Sequence, residues 1–195
     1  MSVTLEPFSL AKVASAVEKV HQRLLRATAA LERAGVAYAV AGGNAVAAWV
    51  RRADENAVRN TRDVDILLRR ADLAAAREAL AREGFIYRHV GGMDVFLDGE
   101  HAGIRGAVHV IFAGEKVRAH EALPNPDVTQ TEQADEYVIL SLEALVQIKL
   151  TAFRDKDRTH LRDMLDVGLI DQSWTARYPP ALAERLQLLI DTPEG

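Results

Sequence analysis

The chain has 195 residues, no cysteine and a formal net charge of −4, from 24 basic and 28 acidic side chains. The absence of cysteine excludes disulfide frameworks, thiolate metal sites and a thiol nucleophile. The negative net charge excludes a generally basic nucleic-acid-binding protein. The sequence has no apolar run of about 18 residues to predict a membrane-spanning helix, and its N-terminus lacks a signal-peptide pattern. We therefore expect a cytoplasmic protein with no membrane partner.

Hydrophobic periodicity and turn residues predict a mixed α/β chain. The predicted helices cover residues 9–34, 44–52, 71–83, 141–153, 156–167 and 180–190. The predicted strands cover residues 37–41, 63–68, 85–90, 94–97, 107–112 and 136–140. The segment 123–133 contains Pro124 and Pro126 and is expected to be irregular. We expect an α/β (α+β) fold, with a mixed sheet flanked by helices over residues 1–140 and a helical tail over residues 141–195 packed on this core.

Two glycines, Gly42 and Gly43, stand where the first predicted strand becomes a helix, and Asn44 follows them. Glycine permits backbone conformations that a Cβ resists and lets a ligand approach the main chain closely. The free N–H groups and the positive end of the following helix suit a phosphate group. A tight strand-to-helix turn without a ligand explains the same glycines, so the pair alone does not establish a binding site.

Asp63 and Asp65 begin an otherwise apolar strand and form the strongest functional motif of the chain. Side chains at i and i+2 share one strand face, so the two carboxylates lie roughly 6–7 Å apart and repel each other unless a cation joins them. Such a pair suits Mg²⁺, which takes one or two carboxylates and completes its shell with phosphate oxygens and water. A solvated strand end is the alternative, because the acid-x-acid spacing is common by chance. Asp155 and Asp157 repeat it elsewhere in this chain.

The Gly-Gly-Asn turn, an intervening helix and the Asp-Val-Asp strand together resemble the nucleotidyltransferase superfamily with the DNA-polymerase-β-like fold. The pattern is most similar to small bacterial members, which include abortive-infection toxins and the aminoglycoside and lincosamide nucleotidyltransferases. This resemblance implies that Gly42, Gly43 and Asn44 hold the phosphates of an NTP donor, and that Asp63 and Asp65 bind Mg²⁺ or Mn²⁺. The implied reaction is attack of an acceptor hydroxyl on the α-phosphate with release of pyrophosphate.

The resemblance covers about residues 36–167 and therefore reaches the helical tail. Toxin-type members carry a lysine in a helix after the sheet, followed by an Arg/Lys–Asp segment, and Lys149 and Asp157 occupy the corresponding places. Lys149 lies in an apolar helix, where it either extends to the helix edge or points into a site. The charged run around Asp157 is also explained by a solvated helix start. Arg62 is a candidate contact of the triphosphate and is equally explained as a surface arginine.

Many superfamily members place a third carboxylate on a later strand, and the strand predicted over residues 107–112 has none. His109 stands in that neighbourhood and is a candidate general base, because the unperturbed pKa of histidine is about 6.5. A packed histidine without a catalytic role is the alternative. Asp94 and Asp98, near the preceding predicted strand, are candidates to supply the carboxylate from nearby. Toxin-type members often lack this acid as well, so its absence does not exclude activity.

Three functions remain open at this point. The first is a metal-dependent nucleotidyltransferase whose acceptor is RNA, a protein or a small molecule. The second is a catalytically inactive relative that binds a nucleotide or a partner, and the third is an unrelated α/β interaction protein. An antitoxin partner follows from the toxin-type resemblance alone. Four arginines near the motifs would offer an RNA acceptor a modest basic stripe, namely Arg51, Arg52, Arg59 and Arg62.

Overall fold

The computed structural model describes residues 9–104 and 106–194. Residues 1–8, on which part of the signal-peptide prediction rests, lie outside the described residues. The helices are α1 (Leu10–Arg33), α2 (Gly42–Ala53), α3 (Leu73–Arg82), α4 (Leu142–Ala152), α5 (Asp155–Asp166) and α6 (Pro180–Asp191). The strands are β1 (Tyr38–Ala41), β2 (Val64–Leu68), β3 (Phe85–Val90), β4 (Met93–Asp98), β5 (Val108–Phe112), β6 (Thr131–Gln133) and β7 (Val138–Leu140). Within these residues, no helix combines the length and the apolar character needed to cross a membrane.

The ends of the predicted helices and strands differ from the observed ones by at most two residues. The ends agree because local signals fix them. At the start of α1, for example, Ser9 Oγ caps the helix by accepting a hydrogen bond from the Lys12 amide. The prediction that residues 123–133 are wholly irregular is wrong, because β6 occupies their last three residues. This strand is short and lies at the sheet edge, where pairing with β7 and not a hydrophobic pattern makes it a strand.

All seven strands form one mixed sheet in the order β3-β4-β5-β2-β1-β7-β6. The pairs β2–β5 and β1–β7 are parallel, and the other neighbouring pairs are antiparallel. The central strands β1 and β2 are buried along their whole length, except that Asp65 is partly exposed. Because Asp65 interrupts an otherwise buried strand, it is the position in the sheet centre where a carboxylate meets solvent.

The helical tail packs on the sheet domain through α2, which contacts both α4 and α5. Trp49 of α2 donates a hydrogen bond from its indole nitrogen to the Leu140 carbonyl at 3.0 Å, which fixes α2 against the end of β7. One buried hydrophobic cluster contains residues of the sheet such as Ile66 together with residues of the tail such as Leu145 and Leu161. Burial in a shared core accounts for the position of the tail, and the domain division at residue 140 stays a prediction.

Candidate functional site

Gly42 begins α2 and packs directly against the side chain of Asp65. The register of the antiparallel pair places Ala41, at the end of β1, opposite Asp65 on β2. A Cβ added to Gly42 would lie 1.8 Å from Asp65 Oδ2 and 2.6 Å from its Cγ. The backbone of Gly42 also has a φ of +60°, which a glycine adopts without strain. The group that approaches this glycine closely is therefore the carboxylate of a predicted cation ligand, so the two sequence motifs meet at one point.

The next two residues of α2 are bound to the loop that precedes β2. A Cβ at Gly43 would lie 2.8 Å from Thr61 Oγ1, so a glycine is needed for this approach too. Asn44 donates a hydrogen bond from Nδ2 to the backbone carbonyl of Asp63 at 2.8 Å. Thr61 donates from Oγ1 to the same carbonyl at 3.4 Å. The first turn of α2 and the residue that carries the first carboxylate are thus held together by side chains.

The carboxylates of Asp63 and Asp65 are partly exposed, and neither makes a direct hydrogen bond or ion pair with the residues that the structure describes. The start of α2 next to them has no side-chain cap from Ala41, so its first N–H groups keep their capacity to bind an anion. Two carboxylates that lack a direct cationic partner, beside an open helix N-terminus, are a donor set that fits Mg²⁺ or Mn²⁺ with a phosphate. Among the described residues no group of three acidic, histidine or cysteine side chains could hold a metal ion, so such an ion would take its other ligands from phosphate and water.

His109 lies beside Asp65 on the neighbouring strand. The parallel pair β2–β5 sets these two residues opposite each other, and directly paired residues point to the same face of a sheet. The Nε2 atom of His109 is shielded from solvent and has no hydrogen-bond partner among the described residues. A shielded imidazole nitrogen without a partner is an atom that a bound ligand would satisfy. The fold thus brings His109 next to the Asp pair.

Lys149 points into the protein and forms a buried ion pair with Asp157. Its side chain is 3% exposed, and its Nζ lies 3.0 Å from Asp157 Oδ1. The other oxygen, Oδ2, accepts hydrogen bonds from the Arg154 backbone at 3.2 Å and from Arg154 Nε at 2.7 Å. Two alternatives from the sequence are therefore wrong: Lys149 does not extend to the helix edge, and Asp157 is not part of a solvated helix start.

This ion pair lies within electrostatic reach of the Asp-x-Asp motif. Burial lowers the pKa of Lys149 below its ordinary value, while the charges of Asp157 and Asp65 oppose that shift. Burial would raise the pKa of Asp157, but the hydrogen bond from Arg154 and the charge of Lys149 hold it below its ordinary value. Burial would lower the pKa of the half-exposed Arg154 guanidinium, but its hydrogen bond to Asp157 and the charges of Asp157 and Asp65 raise it. Two cations, both fixed on Asp157, therefore interact electrostatically with the carboxylate that packs on α2.

Comparison with known proteins assigns the fold. No protein-family model and no curated protein matches the chain. A solved structure of an antigenic nucleotidyltransferase-like protein from Paracoccidioides brasiliensis overlaps with a TM-score of 0.55 at 14% identity, over 91% of this chain and 90% of that one. The chain has a nucleotidyltransferase-like fold. This finding confirms the fold class and the nucleotidyltransferase-like fold that the resemblance of the Gly-Gly and Asp-x-Asp motifs implied.

Two further solved structures overlap more loosely with this nucleotidyltransferase-like chain. One is ANT(2")-Ia in complex with adenylyl-2"-tobramycin, at 16% identity and a TM-score of 0.46, over 91% of this chain and 89% of that one. The other is JHP933 from Helicobacter pylori, at 18% identity and a TM-score of 0.46, over 95% of this chain and 78% of that one. Overlaps of this quality do not assign a fold by themselves.

The nucleotidyltransferase-like sheet excludes Asp94 as the missing third carboxylate. Asp94 is paired with Val110, the residue after His109, and successive residues of a strand point to opposite faces. Asp94 therefore faces the other side of the sheet, where it accepts a hydrogen bond from the Tyr87 hydroxyl and lies 3.0 Å from His89 Nδ1. Of the possibilities that the sequence left open, a third carboxylate from Asp94 is therefore excluded.

Asp98 has a structural role as well. It pairs with Arg23 at 3.0 Å and with Arg26, and both arginines belong to α1. These ion pairs connect α1 to the end of β4. Asp98 also shares the face of Asp94, because the two are four residues apart on one strand, so the same argument excludes it as the third carboxylate.

His160 lies one helical turn after Asp157 on α5, and the sequence did not identify it as a candidate site residue. It follows Asp157 by three residues on α5, which places the two side chains on neighbouring positions of one helix face. Burial and the charge of Lys149 lower the pKa of His160 to about 4, and its Nδ1 has no hydrogen-bond partner among the described residues. The helix spacing from Asp157 was the available indication, but spacing alone does not reveal that this face is buried.

The predicted basic stripe is partly neutralised by ion pairs. Arg59 Nε binds Asp163 at 2.8 Å, and Arg52 binds Glu132 at 2.6 Å. Arg62 is exposed and has no partner among the residues that the structure describes. Arg62 is consequently the arginine next to the Asp pair whose guanidinium is available to a ligand.

Proposed function

We propose that the chain is a divalent-metal-dependent nucleotidyltransferase that transfers NMP from an NTP to a hydroxyl acceptor. The contact between Asp65 and the Cα of Gly42 is the observation that carries this proposal. It supports a single site in which cation-binding carboxylates adjoin the N–H groups of a helix N-terminus. The acceptor is an RNA, a protein or a small molecule, and a toxin role with an antitoxin partner rests on the sequence resemblance.

In this proposal the chain binds the triphosphate from two sides. Asp63 and Asp65 hold Mg²⁺ or Mn²⁺, which supplies charge neutralisation for the phosphates and the departing pyrophosphate. The backbone N–H groups at Gly42, Gly43 and Asn44 donate hydrogen bonds to phosphate oxygens, because the N-terminus of a helix favours a bound anion. Preorganised donors of this kind lower the barrier because they need no reorientation during the reaction.

The remaining residues add charge and move a proton. Lys149, Arg154 and the exposed Arg62 supply positive charge to the phosphates, and Asp157 keeps the first two in place. His109 accepts the proton of the attacking hydroxyl. The acceptor oxygen forms a bond to the α-phosphorus, the bond to the β-phosphate oxygen breaks, and pyrophosphate leaves with that electron pair.

A labelling experiment tests the reaction. Purified protein is incubated with each α-³²P-labelled NTP, MgCl₂ or MnCl₂, and candidate acceptors that include RNA and the protein itself. Incorporation of label and release of pyrophosphate are expected for the wild type, and both should disappear in Asp63→Asn. Asp166→Asn is the matched control, because Asp166 is exposed at the other end of α5 and has no partner among the described residues.

A thermal-shift screen tests nucleotide binding separately. A nucleotide at 100 times its Kd stabilises the folded state by about 2.7 kcal/mol, which raises Tm by roughly 5–10 °C for a chain of this size. The shift should require the divalent cation and should be lost in Asp65→Asn but not in Asp166→Asn. The proposal is wrong if no NTP raises the Tm with either cation.

An inactive nucleotide-binding protein is the second candidate. His109 stands where a third carboxylate is expected beside Asp65, which favours this alternative. It predicts the same metal-dependent thermal shift without release of pyrophosphate. The labelling and binding experiments together therefore separate the two candidates.

A further inference from the structure

The backbone carbonyl of Asp63 receives two side-chain donors from different parts of the chain. Asn44 Nδ2 approaches it at 2.8 Å from the first turn of α2, and Thr61 Oγ1 approaches it at 3.4 Å from the preceding loop. Asp63 itself lies before the first residue of β2, which is Val64. Because Asp63 precedes the strand, these donors restrain a residue that the strand itself does not include.

The same loop is packed against α2 by a glycine contact. A Cβ at Gly43 would lie 2.8 Å from Thr61 Oγ1 and 2.9 Å from Thr61 Cβ, so Thr61 rests on the backbone of this glycine. Thr61 therefore touches α2 through Gly43 and reaches Asp63 through its hydroxyl. Three contacts, from Asn44, Gly43 and Thr61, connect the first turn of the helix to one predicted cation ligand.

We infer that Asn44 and Thr61 are positioning residues that hold Asp63 in its cation-binding place. This inference rests on the proposed function, because it assumes that Asp63 binds a cation. One of the two N–H donors of the Asn44 amide is engaged by the Asp63 carbonyl, so the side chain is held against that residue, and the proposed contact of Asn44 with phosphate is made by its backbone. Its backbone N–H, at the start of α2, remains available for that role.

The expected consequence is a change in cation affinity before any nucleotide binds. A carboxylate that is held in place loses less conformational freedom when it binds an ion than one on a loose loop. Removing one of the two hydrogen bonds should weaken Mn²⁺ binding by about 3- to 10-fold, which is the range expected for the net contribution of one hydrogen bond. Removing both should weaken it further.

The test is a titration of the nucleotide-free protein with MnCl₂, followed by electron paramagnetic resonance of the free ion. The variants are Asn44→Ala and Thr61→Val, of which the second keeps the side-chain shape and serves if the first fails to fold. Thr61→Ser restores the hydroxyl and should restore the affinity. Asn60→Ala is the matched control, because Asn60 is exposed on the same loop and has no partner among the described residues.

The outcomes are distinct. Weaker Mn²⁺ binding in Asn44→Ala and Thr61→Val, with cooperative urea unfolding that shows both variants to be folded and normal binding in Thr61→Ser and Asn60→Ala, supports the inference. Equal Mn²⁺ binding in all folded variants overturns it, and a loss confined to ATP affinity in Asn44→Ala would identify the amide as a phosphate ligand instead. If the folded wild type binds no Mn²⁺ at all, the cation site of the proposed function fails, which is a different result.

Discussion

Replacing Gly42 with alanine should damage both the stability and the cation site of the protein. The backbone at this position has a φ of +60°, where an L-residue with a Cβ costs about 1–2 kcal/mol. The new Cβ would also lie 1.8, 2.6 and 2.9 Å from Oδ2, Cγ and Cβ of Asp65. No pair of unbonded atoms tolerates these separations, so the Asp65 side chain or the start of α2 has to move.

Gly35 provides a matched control for the size of this effect. Its φ of +65° is nearly the same, but a Cβ there meets no atom within 4 Å. Gly35→Ala should therefore cost only the backbone contribution of about 1–2 kcal/mol. Gly42→Ala should cost an additional 1–3 kcal/mol or so for the overlap, which gives a total of about 2–5 kcal/mol. For a chain of 195 residues the extra loss lowers Tm by roughly 2–12 °C relative to the control.

Urea unfolding followed by far-UV circular dichroism measures both losses, and Mn²⁺ titration measures the displacement of Asp65. A double variant with Asp65→Ala removes the two closest atoms, so its loss of stability should be smaller than the sum of the single losses. If Gly42→Ala is no more destabilising than Gly35→Ala and binds Mn²⁺ with the affinity of the wild type, the close contact between the two motifs does not exist as described.

Three further predictions concern the buried polar groups. Asp157→Asn should lower the free energy of unfolding by about 3–5 kcal/mol, because it leaves the Lys149 ammonium buried without its anion. Lys149→Met should lower it less, because Arg154 still neutralises Asp157. The opposite order in urea unfolding would contradict this assignment. Because the pKa of His160 is about 4 in the folded protein and about 6.5 when unfolded, only the unfolded state binds this proton between those pH values. Wild-type stability should therefore fall by up to about 3 kcal/mol as pH drops from 6.5 to 4, and a His160→Gln variant with the same pH dependence would refute this. Trp49→Phe should cost about 1–3 kcal/mol, because the Leu140 carbonyl loses its donor, and an unchanged midpoint by circular dichroism would contradict it.

The secondary structure was predictable because it depends on nearby residues. The apolar spacing of α1, its Ser9 cap and the apolar run of β2 are local patterns, and each predicted element formed within two residues of its predicted ends. β6 is the exception, since three residues carry no periodicity and their pairing partner is set by the fold. The Gly-Gly and Asp-x-Asp motifs, taken together and in this order, also indicated the nucleotidyltransferase-like fold, although each motif is common by itself.

The arrangement of the site depended on contacts between distant residues. Periodicity could not decide whether Lys149 reaches solvent, because that depends on whether Asp157 of the next helix faces it in the interior. The register between β2 and β5 selects His109 and rejects Asp94, since a shift of one residue exchanges the two faces of a strand. The amino-acid order thus determines which chemical groups are present and which local elements carry them. Long-range packing decides which of those groups meet, because strand register and helix orientation are set by the burial of the whole chain.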